Sequence, residues 1–139
     1  MRVITRDGQN FLLRFDRGEE VVAGLQAWCQ AEGIVGGTFN GIGACGELTL
    51  SHYHPYDKEY RDEIIEEGLE ICGLQGNVAR LEGGVAVHVH GTFADDKLRV
   101  RGGHIKRLVV SVTCEISFRQ LPDEIVRMHD PSTGLNLLA

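Results

Sequence analysis

Glycine-punctuated segments rich in apolar residues constrain the fold of this chain most strongly. Their composition and their bounding glycines predict β-strands. Several of them are joined by short turns that contain Gly-Gly or Asp-Asp, and such turns connect antiparallel neighbours. The sequence therefore predicts a mainly antiparallel sheet. The predicted strands are 34–43, 47–54, 69–81, 85–93 and 108–118.

The first 33 residues predict a hairpin followed by a single helix. An Asp-Gly turn at 6–9 precedes the alternating stretch 11–15, and glycine adopts a positive φ there at low cost. From 19 to 32 the apolar residues recur at intervals of three and four, and Gly33 can end the helix in the left-handed conformation. We expect this helix to pack on the sheet.

The 139 residues are predicted to form one domain. Their hydrophobic fraction of 42% suffices for one compact core, and neither a repeat nor a linker divides the chain. The core is expected to end at about residue 120, and the leucine-rich tail 121–139 is expected to dock on it. The segment 55–68 fits either a loop with a short strand or a helical turn.

The cellular setting is predicted from two absences and from the cysteines. The sequence has no run of about eighteen apolar residues, and its start lacks the order of a signal peptide. We therefore expect a soluble, cytoplasmic protein without a membrane partner. The four cysteines form no C-x-x-C pair, which predicts reduced and mostly buried thiols.

The charge of the chain argues against strong DNA binding by a single copy. Twenty acidic and 14 basic residues give a net charge of −6, the wrong sign for a domain that holds phosphates. A local basic stretch is nevertheless a candidate nucleic-acid contact. The alternative is a solvated face on which both signs balance across neighbouring strands. The basic stretch consists of Lys97, Arg99, Arg101, Lys106 and Arg107.

Three histidines are the candidate ligands of a metal ion. His88 and His90 lie two apart in a predicted strand, so both imidazoles point to one face, about 7 Å apart at Cα. His104 follows at a distance that lets the chain turn and return on the adjacent strand. Three neutral imidazoles suit Zn²⁺ or another divalent metal and leave a fourth position open. The alternative is that they hydrogen-bond to backbone carbonyls or to a neighbouring subunit.

Other polar residues are weaker candidates. Glu70 and Glu115 interrupt predicted strands, and each is either paired near the histidines, as a catalytic base, or exposed on an outward face. His52 and His54 are interpreted as a surface pair at a strand end, and His129 as solvent-facing.

The order of several motifs resembles the PPC (plants and prokaryotes conserved) domain as far as about Phe118. These motifs are NGIGACGELTL at 40–50, LEICGLQGNV at 69–78, HVH at 88–90, GGH at 102–104 and TCEI at 113–116. The resemblance implies an α/β (α+β) fold with a mainly antiparallel sheet packed by one principal helix, assembled as a homotrimer. The histidine pattern of the family falls on His88, His90 and His104. In plants the domain accompanies AT-hook motifs, whose Arg-Gly-Arg-Pro core is absent here.

Three functions are consistent with these observations. The first is a binding or regulatory module that carries a three-histidine, zinc-type site. The second is a DNA-binding, transcription-related protein that uses the basic stretch. The third is a metal-dependent hydrolase or lyase with Glu70 or Glu115 as its base.

Overall fold

The computed structural model describes all residues from Met1 to Ala139. Every pairing between its strands is antiparallel, as the glycine-punctuated pattern predicts. The elements are β1 (Arg2–Asp7), β2 (Asn10–Asp16), α1 (Val21–Glu32), β3 (Gly36–His54), β4 (Glu59–Ile65), β5 (Leu69–Leu81), β6 (Gly84–Ala94), β7 (Val100–Gln120), β8 (Arg127–Asp130) and β9 (Leu135–Leu138).

Seven strands form one sheet that closes on itself. Its order is β1-β2-β7-β6-β5-β3-β4, and β7 pairs in addition with β3. This second pairing is possible because β3 and β7 are 19 and 21 residues long. The beginning of β7 pairs with β6 and its end with β2, while its other edge follows β3. The strands and α1 together contribute most of the 26 buried residues of one hydrophobic core.

The helix α1 packs against β6 and β7, as expected for a single helix on a sheet. The Glu20 carboxylate caps its start by accepting hydrogen bonds from the backbone of Val22 and Ala23. Gly33 ends it with a φ of 68°, a conformation that costs glycine little. Buried Leu25 and Cys29 point into the core. The predicted helix is confirmed, and its start moves to Val21 because Glu20 serves as the cap.

The segment 55–68 forms a turn followed by the short strand β4, and not a helical turn. The tail after residue 120 forms the hairpin β8–β9. Polar contacts tie this hairpin to the sheet: the Tyr53 hydroxyl donates to the carbonyl of Thr133, and Lys58 Nζ donates to the carbonyl of Pro131 at 2.8 Å. Of the tail leucines, Leu135 is half-buried, whereas Leu137 and Leu138 are exposed.

Of the four cysteines, all free, three are buried and Cys72 is exposed. The one helix, α1, is not long and apolar enough to cross a membrane.

Candidate metal centre

His88, His90 and His104 meet on the outer face of β6 and β7. The alternation of β6 places His88 and His90 on one face while Val89 between them is buried. The register of β7 sets His104 directly opposite His90. One potential ligand atom of each imidazole lies within 4.8 Å of the other two, and the ring centroids are 5.0 to 5.4 Å apart. We call these three residues the histidine triad.

The triad fits a divalent metal ion of the zinc type. Zinc–nitrogen bonds are about 2.0–2.1 Å long, so modest rotations of the three rings would bring their nitrogens onto one ion. Nδ1 of His104 is buried and has no hydrogen-bond partner. A buried polar atom without a partner is energetically costly. Because Nδ1 of His104 bonds to no backbone carbonyl, it does not support the alternative in which the histidines hydrogen-bond to such carbonyls. Imidazole nitrogens are ligands that suit zinc, copper, iron and nickel.

Burial keeps two of the three imidazoles in the neutral form that binds metal. It lowers the pKa of His88 to about 4, and the charges of Arg127, His104 and His90 lower it further. Burial is also the main cause of the lowered pKa of His104. At neutral pH these nitrogens therefore need not lose a proton before they bind an ion.

One side of the triad is formed by β4 and the beginning of β7. The ring of Tyr60 lies 5.2 Å from that of His104, and Lys106 Nζ lies 4.9 Å from the centre of the Tyr60 ring. The Asp62 carboxylate accepts hydrogen bonds from Lys106 and from Ser51, and these bonds hold its pKa below the usual range. The acid and the base on this side therefore balance each other.

Arg127 of the C-terminal hairpin lies beside His88. Its Nη2 donates to Oδ1 of Asn77 at 2.7 Å and lies 3.2 Å from Nδ1 of His88. Its Nη1 donates to the carbonyl of Asn136 at 2.8 Å. Sequence reasoning missed Arg127, because no motif or period links the tail to β6. The only signal was the prediction that the tail docks on the core.

The triad is open to solvent at His90. This exposed imidazole borders a depression of about 300 Å³. Its walls are neutral apart from the histidine itself: the other lining residues are Gly73, Gln75, Gly91, Thr92, Gly102 and Gly103. A small ligand therefore has access to the centre.

The structure does not bring the two candidate glutamates to the triad. Glu70 and Glu115 are both exposed, as outward alternation of their strands would place them. Glu70 lies five residues before Gln75, the partner of His90 in β5, which corresponds to about 16 Å of strand. Both glutamates line a separate shallow depression. The remaining histidines also lie apart: His52 and His129 are exposed, and His54 lies beside Asp57.

The basic stretch is largely neutralised by carboxylates. Four of its five side chains form ion pairs with carboxylates. This arrangement agrees with the alternative to a nucleic-acid contact, a solvated face on which both signs balance. Lys97 is exposed and has no acidic partner. The pairs are Arg99 with Asp95, Arg101 with Glu63 and Glu67, Lys106 with Asp62, and Arg107 with Glu47.

Comparisons with known proteins identify relatives along the whole chain. The family model of the Plants and Prokaryotes Conserved (PCC) domain matches residues 3–122. A candidate DNA-binding protein from Bacteroides thetaiotaomicron is 31% identical, with a TM-score of 0.93 over 97% of this chain and 94% of that one. A plant- and prokaryote-conserved (PPC) protein from Pyrococcus horikoshii is 28% identical, with a TM-score of 0.88 over 95% and 92%. A metal-containing protein from Archaeoglobus fulgidus is 31% identical, with a TM-score of 0.89 over 100% and 99%. A comparison with curated proteins gives no match.

Proposed function

Because this chain belongs to the Plants and Prokaryotes Conserved domain family, we propose that it is a binding or regulatory module built around a metal ion. His88, His90 and His104 would hold Zn²⁺ or another divalent ion. The observation that carries the proposal is the convergence of three imidazole ligand atoms within 4.8 Å. The similarity to a metal-containing protein from Archaeoglobus fulgidus supports it.

The chemistry of the centre follows from its ligands and its surroundings. When bound by three neutral imidazoles, a divalent ion supplies a Lewis acid with a position left for a ligand. The depression beside His90 gives a small molecule access to that position. Arg127 in the tail is held by Asn77 on β5 and lies beside His88.

Metal analysis of protein purified without a nickel column tests the proposal. We expect about one equivalent of a divalent metal per chain in the wild type, and a loss of most of it in His88→Ala and His104→Ala, because each removes one of three ligands. His52→Ala and His129→Ala serve as matched controls, since these exposed histidines lie outside the triad. Wild-type protein that stays free of metal after incubation with Zn²⁺ would contradict the proposal, as would full occupancy in His88→Ala.

DNA binding is a second candidate. It is supported by the similarity to a candidate DNA-binding protein from Bacteroides thetaiotaomicron. The ion pairs of Arg99, Arg101, Lys106 and Arg107 weigh against the basic stretch as the contact surface. A protein that binds phosphates needs cations that are free to replace the counterions of DNA.

Hydrolase or lyase activity is less well supported by the geometry. A general base must lie within hydrogen-bond reach of the reacting atoms, directly or through one water. Glu70 and Glu115 lie outside that reach, in their own depression. We therefore favour binding over hydrolysis as the function of the centre.

We further propose that the chain assembles as a homotrimer, as its family resemblance implies. A patch on the outer face of β3 and β7 supports this assembly. Ile42 and Val112 are 59% and 70% exposed there, and both line the depression that contains the two glutamates. Exposed apolar side chains that share one surface are typical of an interface.

A further inference from the structure

Arg127 differs from the other half-buried arginines of the chain. Arg14, Arg80 and Arg101 are buried to a similar degree, and each forms an ion pair with a carboxylate. Arg127 contacts only neutral groups, namely a side-chain amide, a backbone carbonyl and an imidazole. It is thus the one half-buried guanidinium without an anion beside it.

An unpaired cation at this depth is energetically unfavourable. Buried charges in proteins are normally paired, because only a counterion replaces the lost solvent, and the half-buried Arg127 bears part of that cost. Its Nε is buried and has no hydrogen-bond partner. The neutral contacts of Arg127 therefore leave part of its donor capacity unused.

The charges around the triad add to this imbalance. Asp62 is occupied by Lys106, so it does not compensate Arg127. The group of metal-binding side chains contains histidines and no carboxylate. A divalent ion held there would bring two more positive charges next to the guanidinium. The centre would then carry an excess of positive charge, which an anionic ligand would offset.

We propose that the ligand of this centre is a small oxyanion, a carboxylate or a phosphoryl group, that is held jointly by the metal ion and by Arg127. This inference rests on the proposed metal centre and names the ligand class it takes. The planar guanidinium fork matches the oxygens of both groups. The depression beside His90 is lined by uncharged residues and does not include Arg127, which lies beside His88; Arg127 would therefore contact an anion that extends from the ion toward His88.

A purely structural role is the competing explanation for Arg127. Its bonds to Asn77 and to the carbonyl of Asn136 tie the hairpin to β5. A structural role predicts that loss of Arg127 loosens the tail, whereas anion recognition predicts a loss of ligand affinity in a folded, metal-loaded protein. The two explanations therefore differ in what a charge-neutral variant does.

Titration of cobalt-loaded protein with acetate and with inorganic phosphate separates them, because Co²⁺ reports its ligands in its visible spectrum. We expect both anions to change the wild-type spectrum, and the stronger response identifies the class of oxyanion. Arg127→Gln, which keeps a hydrogen-bond donor and loses the charge, should keep the cobalt and bind the anions at least about tenfold more weakly. Arg127→Lys should recover most of the affinity. Arg119→Gln, which removes an exposed arginine outside the triad, should behave as the wild type.

Each outcome decides the inference. Anion affinity in Arg127→Gln equal to that of the wild type would overturn it and leave the metal centre intact. Absence of cobalt from the wild type would overturn the metal centre and the inference together. If Arg127→Gln does not fold or does not hold cobalt, a crystal structure of wild-type protein soaked in phosphate decides. An anion in contact with both the ion and Arg127 is then expected, and an anion bound elsewhere contradicts the proposal.

Discussion

His88 is the residue that links the triad to the C-terminal hairpin. It lies on β6 beside His90, and its Nδ1 faces the guanidinium of Arg127. Both its burial and this positive charge disfavour the imidazolium form. His88 is therefore neutral at neutral pH, as a metal ligand must be, and the folded protein is destabilised when this residue takes up a proton.

The stability of the metal-free protein is predicted to fall as the pH falls from about 6.5 to about 4. The pKa of His88 is about 4 in the folded protein and 6.5 in its ordinary environment. Between these values the unfolded chain binds more protons than the folded chain, so the free energy of unfolding rises with pH in this window. The lowered pKa of His104 acts in the same direction.

Urea unfolding with EDTA at pH 7.5 and at pH 5 measures this effect. The drop in unfolding free energy between the two conditions should be smaller in His88→Gln than in the wild type by about 1–2 kcal/mol. His129→Gln should retain the wild-type drop, because this exposed histidine lies outside the triad. An identical drop in His88→Gln and the wild type would show that protonation of His88 does not limit stability.

The residues of the site differ in how far the sequence predicts them. His88 and His90 follow from the two-residue period of a strand, and their meeting with His104 needs only one turn of the chain. Arg127 is different, because its position depends on how a hairpin 23 residues after His104 packs on β5. No local periodicity encodes such a tertiary contact, so the charge that distinguishes the site was not predictable.

The helix and strands around the site also differ in how far nearby residues determine them. The helix and the first hairpin are fixed by capping and turn residues within a few positions, and both are confirmed. The start of β7 was placed too late, at 108 instead of Val100, because Gly102 and Gly103 resemble a turn. Gly102 instead permits close strand packing: a Cβ there would lie 2.6 Å from the carbonyl oxygen of Gly91.

The exposed patch on the outer face of β3 and β7 leads to a prediction about the homotrimer. If the patch of Ile42 and Val112 lies in a homotrimer interface, Val112→Asp should place a charge in a buried contact and dissociate the protein into single chains. Light scattering should give about three times the 15.3 kDa of one chain for the wild type and that mass itself for the variant.

Ile64→Asp is the matched control for this experiment. Ile64 is 73% exposed, as much as Val112, and it lies on β4 at the end of the strand order. The control should leave the mass of the assembly unchanged. A wild type that is monomeric at all accessible concentrations would contradict the homotrimer, and an unchanged mass in Val112→Asp would exclude this patch as the interface.

For the molecule as a whole, closure of the sheet is what creates the site. The pairing of β7 with both β6 and β3 brings His104 between His90 and Ser51. The sequence predicts the strands and their antiparallel sense. It does not predict which of them meet after long separations in the chain, because that depends on the packing of the complete core.

The charge of the whole molecule yields the prediction for DNA. A homotrimer would carry −18, three times the −6 of one chain, and Lys97 is the only residue of the basic stretch without a carboxylate partner. We therefore expect no binding of a duplex of about 20 base pairs near 150 mM salt in fluorescence anisotropy, and only weak, steeply salt-dependent binding near 20 mM.

Glu63→Lys combined with Glu67→Lys frees Arg101 and should strengthen binding at low salt. The pair Glu32→Lys and Glu82→Lys changes the net charge equally, at exposed positions away from the stretch, and should do so less. Submicromolar binding by the wild type near 150 mM salt would contradict this expectation and establish DNA as a partner.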